Sequence, residues 1–148
     1  MKSMRTLIEN RTMVVVDRDT SVLDAATRMT EHGVGAVPVL SGDRVVGIFT
    51  ERDIMSRIVA AGRDPASTRM ADVMTTNLLT ADIEDTHETC MRRMQRAKIR
   101  HLLILDGGRF AGIVSVRDLL YAELGEKDEA LNLLNAYVSD IPYGTSQG

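Results

Sequence analysis

Short blocks of apolar residues alternate with polar turns along this chain and predict a regular order of strands and helices. Apolar runs rich in β-branched residues predict three strands, at residues 13–16, 36–40 and 44–49. Apolar residues at helical spacing predict one helix from Thr20 or Ser21 to about His32, and another from Glu51 to about Ala61. The predicted unit is therefore strand, helix, strand, strand, helix.

The second half of the chain repeats this order of elements. Its predicted strands are residues 78–81, 101–105 and 109–114, and its predicted helices are residues 86–96 and 116–124. The sequence Gly47-Ile48-Phe49-Thr50-Glu51-Arg52-Asp53 reappears 65 residues later as Gly112-Ile113-Val114-Ser115-Val116-Arg117-Asp118. Each copy has a glycine, two apolar residues, a hydroxyl residue, a variable residue, arginine and aspartate. The register is ungapped well beyond this motif, which indicates a duplicated structural unit.

The duplication divides most of the chain into two repeats. We place a polar lead-in at residues 1–11, the first repeat at 12–62, a linker at 63–76 and the second repeat at 77–124. Within the linker, residues 70–74 predict a short turn of helix. A repeat of about 50 residues should not be stable alone, so we expect the two to form one core. The predicted fold is a mixed α/β (α+β) domain with internal pseudo-two-fold symmetry.

Beyond the second repeat, residues 125–140 are predicted to form a C-terminal amphipathic helix, and residues 141–148 a tail. Leu131, Leu134 and Val138 share one face, and acidic residues crowd the first turn. Such an additional helix must lie against its own core or against a second subunit.

The composition excludes several classes of protein. A net charge of −3 gives no general attraction to nucleic acid or to an anionic membrane. The apolar content of 44% supports a packed core, which must be aliphatic because the chain has no Trp. The one cysteine, Cys90, cannot form an intramolecular disulfide, which suits a reducing compartment. With no visible signal peptide and no apolar stretch near the ~20 residues of a membrane span, we expect a cytoplasmic protein.

The repeated motif places a hydroxyl residue and an aspartate at the start of each second helix. Thr50 and Ser115 precede Asp53 and Asp118 by three residues, which is the spacing of a capping box with Asp as the acid. Helix capping alone is one interpretation. The other is a cleft where a carboxylate accepts hydrogen bonds from a ribose diol and a helix N-terminus binds phosphate. Both can hold at once.

The two motifs resemble those of the CBS domain, named after cystathionine β-synthase. The resemblance also rests on Gly33-Val34-Gly35-Ala36-Val37-Pro38-Val39 and Lys98-Ile99-Arg100-His101-Leu102-Leu103-Ile104, which precede the two copies. It covers residues 12–124 and implies a tandem CBS pair, or Bateman module. Members of that family are regulatory binders of adenosyl ligands. The resemblance therefore implies a module that senses AMP, ADP, ATP, NAD or S-adenosylmethionine in the cleft between its repeats.

The resemblance also assigns roles to individual residues. Asp53 and Asp118 resemble ribose-binding aspartates, with Thr50 and Ser115 as the hydroxyls beside them. Arg52 and Arg117 are candidates for phosphate contact, although an exposed ion-paired arginine is an equal alternative.

A further pair of candidates makes the two halves unequal. Arg100 and His101 lie where the family often carries phosphate-contacting basic residues, whereas their counterparts Gly35 and Ala36 offer no such side chains. We therefore expect unequal clefts, and a stronger site at Asp118 because Arg100 and His101 belong to the same repeat. For His101, a position at the edge of the core is the alternative.

A second class of function remains open at this point. Five basic residues cluster in the second repeat: Arg92, Arg93, Arg96, Lys98 and Arg100. They fit a solvated helix face, a phosphate funnel or a nucleic-acid contact, and no interleaved aromatic supports stacking on bases. The alternative to a sensor is a ligand-free structural or interaction dimer whose basic run contacts nucleic acid or a protein.

Catalysis and metal binding have no support in the sequence. The three histidines, His32, His87 and His101, lack ligand spacing, and Cys90 falls on an apolar helix face. No nucleophile with a positioned base can be assembled, so we predict a non-enzyme. CBS pairs commonly associate through their helices. We therefore expect a homodimer that acts on a regulated protein the sequence does not identify.

Overall fold

The structure, a computed structural model, describes residues 3–9, 11 and 13–124 of the 148-residue chain. The predicted C-terminal helix at residues 125–140 and the tail at residues 141–148 lie outside the described residues. The helices are α1 (Met4–Ile8), α2 (Val22–His32), α3 (Glu51–Asp53), α4 (Met70–Val73), α5 (His87–Ala97) and α6 (Val116–Leu124). The strands are β1 (Val16–Asp17), β2 (Ala36–Ser41), β3 (Arg44–Thr50), β4 (Thr80–Asp82), β5 (His101–Asp106) and β6 (Arg109–Ser115).

The strands form two three-stranded sheets with the same topology, ordered β1-β2-β3 and β4-β5-β6. In each sheet the first strand is parallel to the second, and the second is antiparallel to the third. The pairing register shifts at equivalent positions, between Val39 and Leu40 and between Ile104 and Leu105. The predicted fold of two tandem strand-helix-strand-strand-helix repeats is confirmed.

The helices between the first two strands of each sheet begin and end at local signals. The Ser21 hydroxyl accepts a hydrogen bond from the Asp24 N–H at the start of α2, and Thr86 caps α5 through the Thr89 N–H. Both helices end in a left-handed residue, Gly33 with φ +65° and Lys98 with φ +56°. Glycine adopts this conformation freely, but Lys98 holds it at a conformational cost. That strained backbone lies beside one of the clefts described below.

Three predicted elements differ from the structure. The strands expected at residues 13–16 and 78–81 are the shorter β1 and β4, because the apolar residues before them line clefts instead of pairing with a strand. The helix expected from Glu51 to Ala61 is α-helical only over α3 and continues as the π-helical segment Ile54–Val59. Its equivalent in the second repeat, α6, is α-helical throughout.

The prediction of one shared core is wrong. Within the part of the chain that the structure describes, buried apolar side chains form two clusters, one in each half of the fold. Each cluster contains a short helix from outside its own repeat. Met4 and Ile8 of α1 pack with the second repeat, and Met70 and Val73 of α4 pack with the first. The lead-in and the linker are therefore structural parts of the fold.

Backbone hydrogen bonds fix both of these short helices, α1 and α4, in place. The Met4 N–H donates to the Asp85 carbonyl at 3.0 Å, and the Met70 N–H donates to the Thr20 carbonyl at 2.9 Å. Ile48 on β3 forms a two-way backbone bridge with Thr75, at 3.0 and 2.9 Å. Strands β3 and β6 lie against each other, so the ends that carry the two motifs meet between the repeats.

Candidate functional site: two clefts between the repeats

Both motifs form the predicted capping boxes. The Thr50 hydroxyl accepts from the Asp53 N–H at 3.2 Å, and the Asp53 Oδ2 accepts from the Thr50 N–H at 3.0 Å. In the second motif, the Ser115 hydroxyl accepts from the Asp118 N–H at 3.0 Å, and Asp118 Oδ2 accepts from the Ser115 N–H at 2.8 Å. These bonds hold each carboxylate rigidly at a strand-to-helix turn.

The first cleft lies beside Asp53 and has a volume of about 280 Å³. Its walls come from the end of β3 and from α3, from the segment before β4, and from the start of β5. The residues that line it are Gly35, Ile48, Thr50, Glu51, Arg52, Asp53, Thr75, Asn77, Leu78, Leu79, Lys98, Ile99, Arg100, His101 and Leu103. Each repeat thus supplies part of the wall.

The second cleft lies beside Asp118 and has a volume of about 700 Å³. The lead-in forms one side, and the chain between α2 and β2 forms another. The residues that line it are Arg11, Met13, Val14, Gly33, Val34, Gly35, Ala36, Arg100, His101, Ile113, Val114, Ser115, Val116, Arg117 and Asp118. This cleft, too, is built from both repeats.

Each of the eight candidate residues lines at least one of the two clefts. Their assignment to the clefts differs from the one that the sequence implied. Thr50, Arg52 and Asp53 line the first cleft, and Ser115, Arg117 and Asp118 line the second. Arg100 and His101 line both, because they lie where β5 starts, with Arg100 just before the strand and His101 as its first residue.

This placement corrects the sequence argument for a stronger second site. The stronger site was expected at Asp118 because Arg100 and His101 belong to the same repeat as that residue. In the structure they border the Asp53 cleft as well, so they do not rank the two sites.

Arg11 is the site residue that sequence reasoning missed. Its Nη2 lies 2.7 Å from Asp118 Oδ1, and its Nη1 lies 3.3 Å from Asp118 Oδ2. The same Nη1 reaches the Ile113 carbonyl at 3.5 Å. Arg11 and Asp118 are 107 residues apart in sequence, and no motif marks the arginine. The only signal in the sequence was the resemblance between the repeats. It made Asp118 a candidate, but it did not indicate that Arg11 is the ion-pair partner of Asp118.

The environment of Asp118 favours its ionised form. Burial alone would raise the pKa of this carboxyl group. The hydrogen bond from Arg11, the backbone N–H of Ser115, the charge of Arg11 and the Ser115 hydroxyl oppose burial, and the pKa lies below its ordinary value. The carboxylate is therefore charged at neutral pH and available as a hydrogen-bond acceptor.

His101 is held in its neutral form. Burial lowers its pKa, and the nearby Arg100 charge lowers it further, while the charges of Asp118 and Glu51 oppose this shift. A neutral imidazole has one donor and one acceptor nitrogen. His101 can thus hydrogen-bond a ligand in either cleft without adding a full charge to it.

Arg52 and Arg117 are the exposed arginines of the two motifs. The guanidinium carbon of Arg117 lies 5.9 Å from the centroid of the Tyr121 ring, within the range of a cation–π contact. Near the first motif, Arg57 approaches Asp53, with Nε 3.7 Å from Oδ1. Arg57 also donates to the Val73 and Met74 carbonyls at 2.8 and 3.2 Å. Its role in the structure includes fastening α4.

The predicted basic run is not a continuous charged surface. Arg92 pairs with Glu88 at 3.6 Å, and Arg93 pairs with Asp85 at 3.0 Å. Arg93 also donates to the Thr80 carbonyl at 3.1 Å. Lys98 and Arg100 instead line the first cleft. Two members of the run are thus neutralised locally and two contribute to a site.

In residues 3–9, 11 and 13–124, no cluster of His, Cys, Asp or Glu side chains has the arrangement of a metal site. No helix in the same part of the chain is both long and apolar enough to cross a membrane. Cys90 is buried, and burial raises the pKa of its thiol to about 11, as expected for an unreactive core residue.

Known proteins resemble this chain over most of its length. The sequence profile of the CBS domain matches it twice, at residues 7–60 and 70–125. The CBS domain-containing protein CBSX3, mitochondrial, of Arabidopsis thaliana is 37% identical over 81% of this chain and 61% of its own length. The CBS domain-containing protein YhcV of Bacillus subtilis (strain 168) is 32% identical, over 83% of this chain and 87% of its own. The chain thus spans less than two thirds of the first relative and most of the second.

Solved structures share the fold. The CBS-domain containing protein ATU1752 from Agrobacterium tumefaciens matches with a TM-score of 0.75 and 30% identity, over 82% of this chain and 99% of its own.

Two more distant structures contain ligands, and their likeness to this chain concerns the fold alone. PAE2072 from Pyrobaculum aerophilum, complexed with AMP, is 24% identical, with a TM-score of 0.74 over 92% of this chain and 99% of its own. The CBS domain pair of protein MJ0100, in complex with 5′-methylthioadenosine and S-adenosyl-L-methionine, is 22% identical, with a TM-score of 0.75 over 86% of this chain and 99% of its own. With two matched domains and two sheets of one topology, the chain belongs to the CBS-domain family as a tandem pair.

Proposed function

We propose that this chain is a regulatory module that binds an adenosyl ligand of the AMP, ADP, ATP, NAD or S-adenosylmethionine class in the clefts between its CBS domains. The observation that carries the proposal is the pair of rigid carboxylates, Asp53 and Asp118, each at a helix start inside a cleft built from both repeats.

The chemistry of the clefts suits such a ligand. An ionised carboxylate accepts two hydrogen bonds from a ribose diol, and a helix N-terminus with adjacent arginines binds phosphate. Apolar residues supply surfaces for an adenine ring, namely Ile48, Leu78, Leu79 and Ile99 in the first cleft and Met13, Val14, Val34 and Val116 in the second. The cleft volumes of about 280 and 700 Å³ lie near and within the usual range for small-molecule sites. AMP bound to PAE2072 and the adenosyl ligands bound to MJ0100 support this ligand class.

Regulation follows from the position of the ligand. A molecule held in either cleft contacts residues from both repeats at once. It can shift their arrangement only by binding one arrangement more tightly than another. We propose that this shift is read by a regulated protein, and that the chain itself performs no catalysis. A reducing compartment such as the cytoplasm suits the lone thiol of Cys90.

The ligand is testable by thermal stability and direct identification. The purified protein is melted with AMP, ADP, ATP, NAD and S-adenosylmethionine in turn, and small molecules released on denaturation are identified by mass spectrometry. A ligand at ~100 times its dissociation constant stabilises the folded state by about 2.7 kcal/mol, which raises the melting temperature by several degrees. If none of the five ligands changes the melting temperature and none is released, the proposal is wrong.

Matched variants connect any binding to the clefts. Asp53→Asn and Asp118→Asn each keep an oxygen that can accept the capping N–H but lose the charge that a ribose diol requires. Asp82→Asn, at the exposed end of β4 and outside both clefts, is the control. We expect weaker binding from the cleft variants and none of that loss from the control.

We also propose that the module is a homodimer. The outer helices expose apolar side chains, with Met55 62%, Val59 72% and Leu120 47% exposed. Met55 and Leu120 occupy equivalent positions 65 residues apart, so the two repeats present similar faces. A closed two-fold contact is the commonest way to bury such faces.

Sedimentation tests the dimer. We expect dimers of the full-length chain and monomers of a Met55→Glu, Leu120→Glu double variant. A chain that ends at Gly125 shows whether the predicted C-terminal helix contributes to the contact. A monomeric full-length protein contradicts the dimer.

A further inference from the structure

We propose that Arg11 makes the second cleft selective for anionic, phosphorylated adenosyl ligands over uncharged nucleosides, an inference that rests on the proposed function. The first cleft lacks an equivalent residue, because the position 65 residues after Arg11 is Thr76.

Arg11 already occupies the carboxylate that a ribose diol would use in the second cleft. The guanidinium covers both oxygens of Asp118, at 2.7 Å and 3.3 Å. One of these oxygens also accepts the Ser115 N–H. A ribose diol that binds Asp118 must therefore replace at least one donor of Arg11.

The displaced guanidinium then determines which ligand binds well. The Arg11 side chain is 36% exposed, so water only partly replaces a lost partner. An uncharged nucleoside takes the carboxylate and gives the guanidinium nothing in return. A phosphorylated ligand supplies oxygens that match the two-pronged geometry of the guanidinium. Exchange of partners is thus favourable only for the anionic ligand.

The remaining charges of the second cleft also favour an anionic ligand. Among the described residues that line it, Arg11, Arg100 and Arg117 are cationic and only Asp118 is anionic. The first cleft also has three cations, Arg52, Lys98 and Arg100, but these face two anions, Glu51 and Asp53. The second cleft therefore has the greater excess of positive charge. Its volume of about 700 Å³ leaves room for a nucleotide.

The test compares AMP with adenosine, which differ only in the phosphate. Binding is measured by calorimetry at fixed pH and ionic strength, in a Leu79→Trp background that fills the first cleft. Leu79 lines only that cleft and is 38% exposed, so the added ring has access to solvent. Asp53→Asn is a second background that weakens the first cleft without adding bulk.

In either background, Arg11→Gln should weaken AMP binding by about tenfold or more, as expected for the loss of hydrogen bonds to a charged group. Adenosine binding should be unchanged or tighter, because Asp118 is freed. Arg5→Gln is the matched control. It removes another arginine of the lead-in, one that pairs with Glu84 at 2.7 Å on the surface away from both clefts. The control should leave the ratio of the two affinities unchanged.

The outcomes separate this inference from the proposed function. If the unaltered protein binds no adenosyl ligand, both are overturned. If it binds AMP but Arg11→Gln changes AMP and adenosine binding equally, or tightens AMP binding, only the role of Arg11 is overturned. A purely structural role for Arg11 would lower the melting temperature without changing the ratio of affinities, so melting curves without ligand complete the test.

Discussion

Asp53 and Asp118 perform the same capping function in equivalent turns, yet their surroundings differ. The side chain of Asp53 is 12% exposed, and its ion-pair partner Arg57 lies on the same helical segment, with Nε 3.7 Å from Oδ1. Asp118 has a side chain that is 27% exposed and is held at 2.7 Å by Arg11 from the far end of the chain. The second cleft is also the larger of the two, at about 700 Å³ against about 280 Å³.

The comparison shows which features a duplication preserves. The capping box depends on neighbours three residues apart, so both copies keep it as long as the local motif survives. The charge of each cleft depends on residues that differ between equivalent positions of the two repeats. Arg11, Glu51 and Lys98 have Thr76, Val116 and Gly33 as their counterparts. Two copies of one turn can therefore acquire different ligand preferences without any change in the turn.

The largest expected effect on stability comes from α1 and α4, the short helices beneath the two motifs. Met4 and Met70 are each fully buried, so Met4→Ala and Met70→Ala should each reduce the free energy of unfolding by about 2–5 kcal/mol. Met4→Ala should lower hydrogen-exchange protection mainly in β6, and Met70→Ala mainly in β3. Equal loss of protection in both strands would mean that the two clusters behave as one.

A smaller effect is expected at the glycines that begin the motifs. A Cβ at Gly47 would lie 2.7 Å from Cγ and 3.0 Å from Cβ of Met74, which are fixed near the backbone. At Gly112 it would lie 2.7 Å from the terminal methyl of Met13, which can move, and 3.2 Å from Ile8 Cγ2. Gly47→Ala should therefore cost about 1–3 kcal/mol of stability, and Gly112→Ala less, as measured by urea unfolding. The reverse order would contradict the packing described for the two repeats.

Alanine variants of the two aspartates test the difference between the two clefts directly. Asp53→Ala and Asp118→Ala should each cost about 1 kcal/mol of stability, because each removes one side of a capping box. Binding of a phosphorylated ligand should be weakened more by Asp118→Ala, because the second cleft has the greater excess of positive charge and Asp118 is its ribose acceptor. Affinity by calorimetry and stability by urea unfolding are measured on the same samples. Normal binding by Asp118→Ala together with weak binding by Asp53→Ala would assign the main site to the first cleft.

The smallest expected effect concerns pH. The folded protein disfavours protonated His101, so the pKa of His101 in the folded state lies below its ordinary value of 6.5. The folded state therefore loses stability as the pH falls through 6.5 towards the folded pKa. We expect a lower melting temperature at pH 5.5 than at pH 7.5, and a smaller difference in His101→Asn. An unchanged pH dependence in that variant would show that other groups account for it.

Much of the fold could be predicted because its signals are local. The caps at Ser21 and Thr86, the left-handed Gly33 and the hairpin turns depend on residues within one turn of helix or one loop. Because of the internal duplication, each predicted strand or helix could also be compared with its counterpart in the other repeat. The eight candidate residues followed from the motif and its resemblance to a family, and each lines a cleft.

Elements whose conformation depends on distant packing were predicted less well. The sequence indicated a helix after Thr50 but not its π-helical segment, Ile54–Val59. It indicated apolar runs before β1 and β4 but not that Met13, Val14, Leu78 and Leu79 line clefts. In both cases the same residue pattern is compatible with more than one local structure, and tertiary contacts select between them.

The sequence by itself determined the two repeats, their order of strands and helices, and the capped aspartate at each motif, because these depend on periodicity and on neighbours a few residues apart. Only the tertiary structure decided that α1 and α4 exchange partners, that Arg100 and His101 border both clefts, and that Arg11 covers Asp118. The physical reason is that these contacts join residues far apart in the chain. Their energies depend on distances, burial and side-chain geometry that exist only after the chain has folded.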